Sequence, residues 1–267
     1  MYDIVVIGSG PAGLSAAITG RMRGKSVAVV SNDRTATGLY KAAKIDNYPG
    51  MPAVSGAELL GKMTMHAAGI GAELIRGRVT AVLPMGQEFS VSYGSEMLSG
   101  RALILATGVA PASTFPGEER LLGSGVSYCA TCDGMLYRGK KVCVVCHSPD
   151  AEEEAAFLES IGCEVVRLTT RKIVINGDMR VTSVTADGQG IPCAGVFLLR
   201  PSIAPSTLVP GLEVSRGHIV VDRKMRTNIP GVFAAGDCAG APYQVAKAVG
   251  EGQVAVLAAV EYLAGNQ

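Results

Sequence analysis

The residues best suited to chemistry lie in one short segment, Cys129-Ala130-Thr131-Cys132-Asp133. A C-x-x-C pair can close a disulfide ring. When it is reduced, one thiolate stabilised by local dipoles can attack a partner disulfide. The competing chemistry is half of a zinc site, which needs two more ligands at metal spacing. Cys143-Val-Val-Cys146 repeats the spacing but falls inside the apolar strand pattern 141–146. Residues i and i+3 of a strand face opposite sides, so those two cannot chelate one ion. The three histidines, His66, His147 and His218, join no ligand cluster, and no metal is expected. Asp133 could do acid–base work beside the thiols or serve as a turn residue before Gly134.

A dithiol of this kind needs an electron source, and the N-terminus carries a nucleotide-binding pattern. Residues 3–7 are a short apolar run of buried-strand type, followed at once by Gly8-Ser9-Gly10-Pro11-Ala12-Gly13 and the apolar-small stretch 14–18. The first glycine makes the turn, the second lets backbone touch a pyrophosphate, and the third lets helix pack on strand. A second strand, 26–30, runs into Ser31-Asn32-Asp33, where a ribose-binding acid is usually expected. Asn32 or Asp33 could serve the ribose, and a plain turn is equally consistent. Two further strands end in Ala106-Thr107-Gly108 and Gly236-Asp237.

Composition sets the outer limits. The 267 residues carry 24 Lys plus Arg against 23 Asp plus Glu, a balance with no field for wrapping nucleic acid. Apolar runs such as 254–260 fall far below the roughly 18 residues a membrane span needs, and a strand from Tyr2 onward leaves no room for a signal peptide. Glycine is high, at 34 residues, as suits an α/β chain with several tight turns. Seven cysteines, an odd number, point to a reducing compartment, hence a cytoplasmic protein without a structural disulfide framework.

Taken in order, the G-x-G-x-x-G turn, Ala106-Thr107-Gly108 and Gly236-Asp237 resemble the two-dinucleotide-fold flavoproteins. The Cys-Ala-Thr-Cys-Asp-Gly run narrows the resemblance to the low-molecular-weight thioredoxin reductases. So do Ile45 to Gly50, and Gln244 followed by Ala248 to Gly252. The resemblance implies an α/β chain with two Rossmann-like folds, the second shortened and lacking its nucleotide motif. It implies FAD held by Gly8, Ser9, Gly10, Pro11, Ala12, Gly13, Asn32, Asn47, Val79, Thr107, Gly108, Gly236, Asp237, Gln244 and Val245. Carried over, Cys132 faces the flavin, Cys129 attacks the partner disulfide, and Asp133 moves the proton. The other cysteines, 143, 146, 163, 193 and 238, read as small apolar filler.

The FAD fold is expected to be discontinuous, 1–112 and 212–267, around an inserted C-x-x-C domain, 113–211, whose two Pro- and Gly-containing crossings suit a hinge. Helices are expected over 12–23, 56–70, 151–161 and 245–263. Ser55 and Glu58 form a capping box for the second. Strands are expected at 79–83 and 89–93, and from Arg101 to the Ala106-Thr107-Gly108 turn.

The inserted domain departs from its family where a second nucleotide would lie. A G-x-G-x-x-A turn is expected between strand 140–145 and helix 151–161, but the chain reads Cys146-His147-Ser148-Pro149-Asp150-Ala151. Side chains at Cys146 and Ser148 obstruct backbone approach to a pyrophosphate, and Pro149 removes an amide donor. Glu152 adds a negative charge. After strand 163–168 the family's His-Arg-Arg cluster and following helix are replaced by Thr169-Thr170-Arg171-Lys172 and another strand. Leu39-Tyr40-Lys41-Ala42 also replaces a Gly-Gly-Gln-Leu loop beside the flavin.

The pattern resembles the clostridial-type subset that takes electrons from ferredoxin instead of NADPH. A related subset places a second FAD there. The expected activity is reduction of thioredoxin by a homodimer, with Arg138-Lys140-Lys141 and Arg223-Lys224-Arg226 as candidate docking bases for an acidic ferredoxin. The alternatives are a diflavin or NAD(P)H-using reductase, a dithiol oxidase using oxygen, and a non-enzymatic flavin redox sensor.

Overall fold

The computed structural model describes residues 1–32, 38–108, 114–128, 130–147, 151–200 and 204–265. Cys129 therefore lies outside the described residues, and Cys132 is described by its backbone alone. Two compact units divide the chain. One joins Met1–Ala110 to Ala204–Gln267, and the other is Pro111–Ile203.

The first unit begins with β1 (Tyr2–Ile7), α1 (Pro11–Met22) and β2 (Val27–Ser31), followed by α2 (Gly38–Lys41) and α3 (Gly56–Gly69). The helix after the glycines opens at Pro11, one residue before the expected start, because proline at the first helical position gives up only an N–H that has no partner there. Ser55 Oγ accepts from Glu58 N at 3.2 Å and caps α3 as the spacing predicts. Strands β3 (Glu73–Arg76), β4 (Val79–Met85), β5 (Glu88–Tyr93) and β6 (Glu96–Leu105) follow. β6 starts well before the expected Arg101, since its first half pairs antiparallel with β5, Tyr93 opposite Glu96 and Phe89 opposite Gly100.

The second unit holds α4 (Glu118–Leu121), β7 (Val126–Ser127), α5 (Ala130–Asp133), β8 (Lys141–Cys146), α6 (Ala151–Ser160) and β9 (Glu164–Leu168). It continues with β10 (Ile173–Asn176), β11 (Ser183–Ala186), β12 (Gln189–Pro192) and β13 (Gly195–Leu199). The chain then returns to the first unit through α7 (Pro205–Leu208), β14 (Val214–Ser215), β15 (His218–Ile219), β16 (Val232–Ala234) and α8 (Val245–Gly265). α7 packs against β4, which places the return crossing earlier than position 211.

In the first unit the sheet order is β3-β2-β1-β6-β5-β4, with β16 on the second half of β6. Register sets Ile7, Leu105 and Ala234 abreast. α1 and α8 pack together through glycine. A side chain at Gly252 would overlap the Ala12 carbonyl, and one at Gly20 would press on Val27 and Val256. Ser15 Oγ donates to the Val249 carbonyl at 2.7 Å. Leu14 and Ile104 are fully buried beside Phe233 and Val256. Truncating either of the first two to alanine costs about 2–5 kcal/mol.

In the second unit the parallel order is β7-β13-β8-β9, beside the antiparallel β10-β11-β12. β9 ends at Leu168 and β10 opens at Ile173 with no helix between, so the shortening expected from the sequence falls here.

Candidate functional site

The strand register turns three distant motifs into one edge. Gly8, Thr107-Gly108 and Gly236-Asp237 each follow the carboxyl end of one of three neighbouring parallel strands. β2 and β6 flank β1 on opposite sides, so this is the point where strand order reverses, the usual crevice for a ligand in such sheets. The glycines divide their work as the spacing predicts. A Cβ at Gly8 would overlap the Ala106 carbonyl, and one at Gly13 would overlap the carbonyl of Gly8. A Cβ at Gly10 would meet nothing within 4 Å among the described residues, which leaves that backbone open to a pyrophosphate. Ser9 Oγ is buried with no hydrogen-bond partner among the described residues, a polar atom suited to a bound group. These features fit FAD.

The Gly236-Asp237 turn is held from below by α8. Gly236 has φ +84°, and a Cβ there would press on Ala12 Cβ at 2.9 Å. Its N–H donates to Glu251 Oε2 at 2.9 Å, and Lys247 Nζ donates to its carbonyl at 3.0 Å and to that of Gly240. Lys247 and Glu251 pair at 3.1 Å, one helical turn apart. Burial pushes the Asp237 carboxyl up, Lys247 pulls it back and Glu251 pushes it up again. Asn47 Nδ2 donates to Gln244 Oε1 at 2.7 Å, which joins two of the expected contact residues just ahead of Val245 and α8. Val79 is buried at the start of β4 and Asn32 directly follows β2. Asp33 lies outside the described residues.

In the second unit the C-x-x-C segment follows β7 and enters α5. Asp133 Oδ2 accepts from Ser127 Oγ at 2.7 Å. A 3-10 turn, Gly134–Tyr137, comes next and leaves Met135 and Leu136 59% and 68% exposed. Cys143, Cys163, Cys193 and Cys238 are buried free thiols, and Cys146 is half-buried.

Among the described residues, side chains of the unit itself cross the carboxyl edge of this second sheet. His147, directly after β8, directs Nε2 to the carbonyls of Thr169 and Thr170 beyond β9, at 3.1 Å each. The His147 and Phe115 rings lie 6.3 Å apart, and the Arg200 guanidinium, directly after β13, sits over Phe115 at 5.2 Å. Arg200 also pairs with the fully buried Glu118. Glu118 accepts from the Tyr128 hydroxyl, after β7, at 2.8 Å and from the Phe115 N–H at 2.8 Å. Burial, with Glu118 beside it, pushes the Tyr128 hydroxyl up. A single strap thus crosses the ends of all four parallel strands. Ser148, Pro149 and Asp150 lie outside the described residues.

Sequence reasoning missed the strap, because Phe115, Glu118, His147 and Arg200 are ordinary types far apart in the chain. The one local signal was a charged residue closing the wholly buried strand 195–199. The basic trios are partly committed within the chain. Lys141 pairs with Glu164 at 2.9 Å, Lys224 and Arg226 share Glu261 at 2.9 and 3.0 Å, and Lys140 donates to the Leu136 carbonyl.

Comparison with known proteins follows the same lines. Residues 2–187 and 167–252 match the model of the pyridine nucleotide-disulphide oxidoreductases. A thioredoxin reductase of Listeria innocua is 33% identical, over 98% of this chain and 94% of that protein. Among solved structures, a ferredoxin-flavin thioredoxin reductase from Clostridium acetobutylicum is 40% identical with a TM-score of 0.91, covering 99% of this chain and 98% of its own. A thioredoxin reductase from Gloeobacter violaceus is 32% identical with a TM-score of 0.82, over 100% and 95% of the two chains. Among the described residues no helix is long and apolar enough to cross a membrane. On fold, site and relatives together, the chain belongs to the pyridine nucleotide-disulphide oxidoreductase family, as an FAD-dependent disulfide oxidoreductase of the thioredoxin reductase type.

Proposed function

We propose that this protein reduces the disulfide of thioredoxin with electrons from reduced ferredoxin, and uses no pyridine nucleotide. The observation that carries this reading is the strap across the second sheet's carboxyl edge. Phe115 lies against both His147 and Arg200, the residues directly after β8 and β13, at the edge where a dinucleotide would lie. The likeness to a relative described as a ferredoxin-flavin thioredoxin reductase supports it. Bound FAD supplies the conversion between one-electron donors and two-electron dithiol chemistry. Gly10 and Ser9 receive its pyrophosphate, with Thr107, Gly108, Asp237 and the start of α8 around the rest, one FAD per chain.

The dithiol chemistry belongs to the second unit. The Cys129 thiolate attacks one sulfur of the thioredoxin disulfide and expels the other as a thiolate, leaving a mixed disulfide. Cys132 then attacks the Cys129 sulfur and releases reduced thioredoxin. Asp133, steadied by Ser127, takes the Cys132 proton and delivers it to the departing thiolate. Exposed Met135 and Leu136, three and four residues past Cys132, offer the apolar step on which thioredoxin docks. The protein works in the cytoplasm as a homodimer.

Steady formation of thioredoxin thiols from reduced ferredoxin tests the reading. Cys129→Ser lowers turnover by a factor on the order of 10³ or more, and Cys132→Ser traps thioredoxin on Cys129. Trapping on Cys132 in the Cys129→Ser protein would reverse the assigned roles. Peroxide formation from a small dithiol, without thioredoxin turnover, would make the protein an oxidase.

A further inference from the structure

The start of the redox helix is held by a residue to which neither the nucleotide site nor the thiol chemistry gives a part. The main-chain N–H of Ala130 donates to Glu154 Oε2 at 2.8 Å, from α6 packed against α5. Ala130 is fully buried, so water does not reach that amide, and a helix start leaves its first N–H groups without partners inside the helix. This amide is the one directly after Cys129 in the chain. Amides at a helix start ordinarily favour a thiolate beside them. Here a carboxylate engages the amide that follows Cys129 in the chain, and a negative charge near a thiol opposes its ionisation. Glu153, the adjacent residue of α6, carries the same charge on an exposed side chain.

We propose that Glu154 is a positioning residue that fixes the start of the redox helix and, through its charge, sets the reactivity of the Cys129 thiol. The proposal rests on the reading of Cys129 and Cys132 as the redox pair. Its consequence is a thiol that stays protonated to higher pH. A less stabilised reduced form makes the pair a stronger reductant. The other ionisable groups facing α5 are Asp133 on the helix itself and Tyr137 in the turn after it. Tyr128 precedes it, and of the other α6 acids Glu152 and Glu159 pair with Arg167 of β9 while Glu153 is exposed.

The test is the rate of Cys129 alkylation by iodoacetamide, read by peptide mass spectrometry from about pH 5 to about pH 9, in the reduced Cys132→Ser protein. Glu154→Gln keeps an acceptor for Ala130 and removes the charge. It should move the profile down by about half to one pH unit, a rise of about three- to tenfold at the acid end. Glu153→Gln should leave the profile where it is. An unmoved Glu154→Gln profile would overturn the proposal, as would an equal shift from Glu153→Gln. Thiol counts on the oxidised and reduced wild-type protein keep the premise separate: if Cys129 and Cys132 form no disulfide, it is the redox-pair reading that fails.

Discussion

The two parallel sheets end in opposite ways. At the carboxyl edge of the first, glycine stands where a side chain would intrude, and Gly10 faces open space. At the carboxyl edge of the second, a histidine, a phenylalanine and a buried arginine–glutamate pair lie across the strand ends. The same architecture thus leaves backbone open at one edge and is crossed by side chains at the other, among the described residues. On the proposed reading, a dinucleotide fold keeps its strand order while side chains occupy the place of a ligand. What the second unit still positions is the C-x-x-C segment: Tyr128, tied to the strap, precedes Cys129, while Ser127 and Glu154 hold Asp133 and Ala130.

The sharpest way to break the comparison is to close the open edge. A Cβ at Gly10 meets no atom of the described residues within 4 Å, so the Gly10→Val chain should fold while flavin retention, read by absorbance of the purified protein, falls about 100-fold or more. Full flavin occupancy in that variant would remove the first edge as the cofactor site. The reverse experiment opens the closed edge. Arg200→Met strands a fully buried Glu118 carboxylate and should cost about 3–5 kcal/mol in denaturant unfolding. Pairing it with Glu118→Gln should recover a large part of that loss, because two neutral partners need no counter-charge. A loss below about 1 kcal/mol for Arg200→Met would mean that the strap holds nothing together.

Much of the first edge was legible in the sequence, because its signals are local. Glycines at fixed spacing after an apolar run report a turn and a close approach without any knowledge of the partner strand. Their convergence was not legible, since it depends on the register that sets Ile7, Leu105 and Ala234 abreast. The loss of glycine at Cys146 marked the second edge as altered, yet its replacement stayed hidden. Phe115 and Arg200 are 85 positions apart and carry no periodic pattern. The early start of β6 was missed for a related reason: Ser99-Gly100 breaks the apolar alternation that marks a strand, and the hairpin with β5 supplies the pairing instead.

Smaller effects sharpen the contrast. Met135→Ser with Leu136→Ser should raise KM for thioredoxin about three- to tenfold at unchanged kcat, the signature of lost docking contact. An unchanged KM would move the docking surface elsewhere. Asp237 provides the smallest test. Its folded carboxyl is raised above the unfolded value by burial, so it stabilises the flavin-free protein below the ordinary carboxylate range of ~4. That contribution is lost as pH rises to the higher folded value. Across that window the melting temperature of flavin-free wild type should fall by a few degrees relative to Asp237→Asn. Parallel pH profiles would show that burial does not disfavour its charge.

The central claim is that the second edge admits no pyridine nucleotide, and anaerobic reduction of the purified flavoprotein tests it most directly. Flavin bleaching is followed with NADPH, NADH and reduced ferredoxin as separate donors, alongside a flavin count per chain. The account predicts one flavin per chain, rapid bleaching by reduced ferredoxin, and none by either nucleotide on the same timescale. Rapid bleaching by NADPH would contradict it, and so would a second flavin per chain.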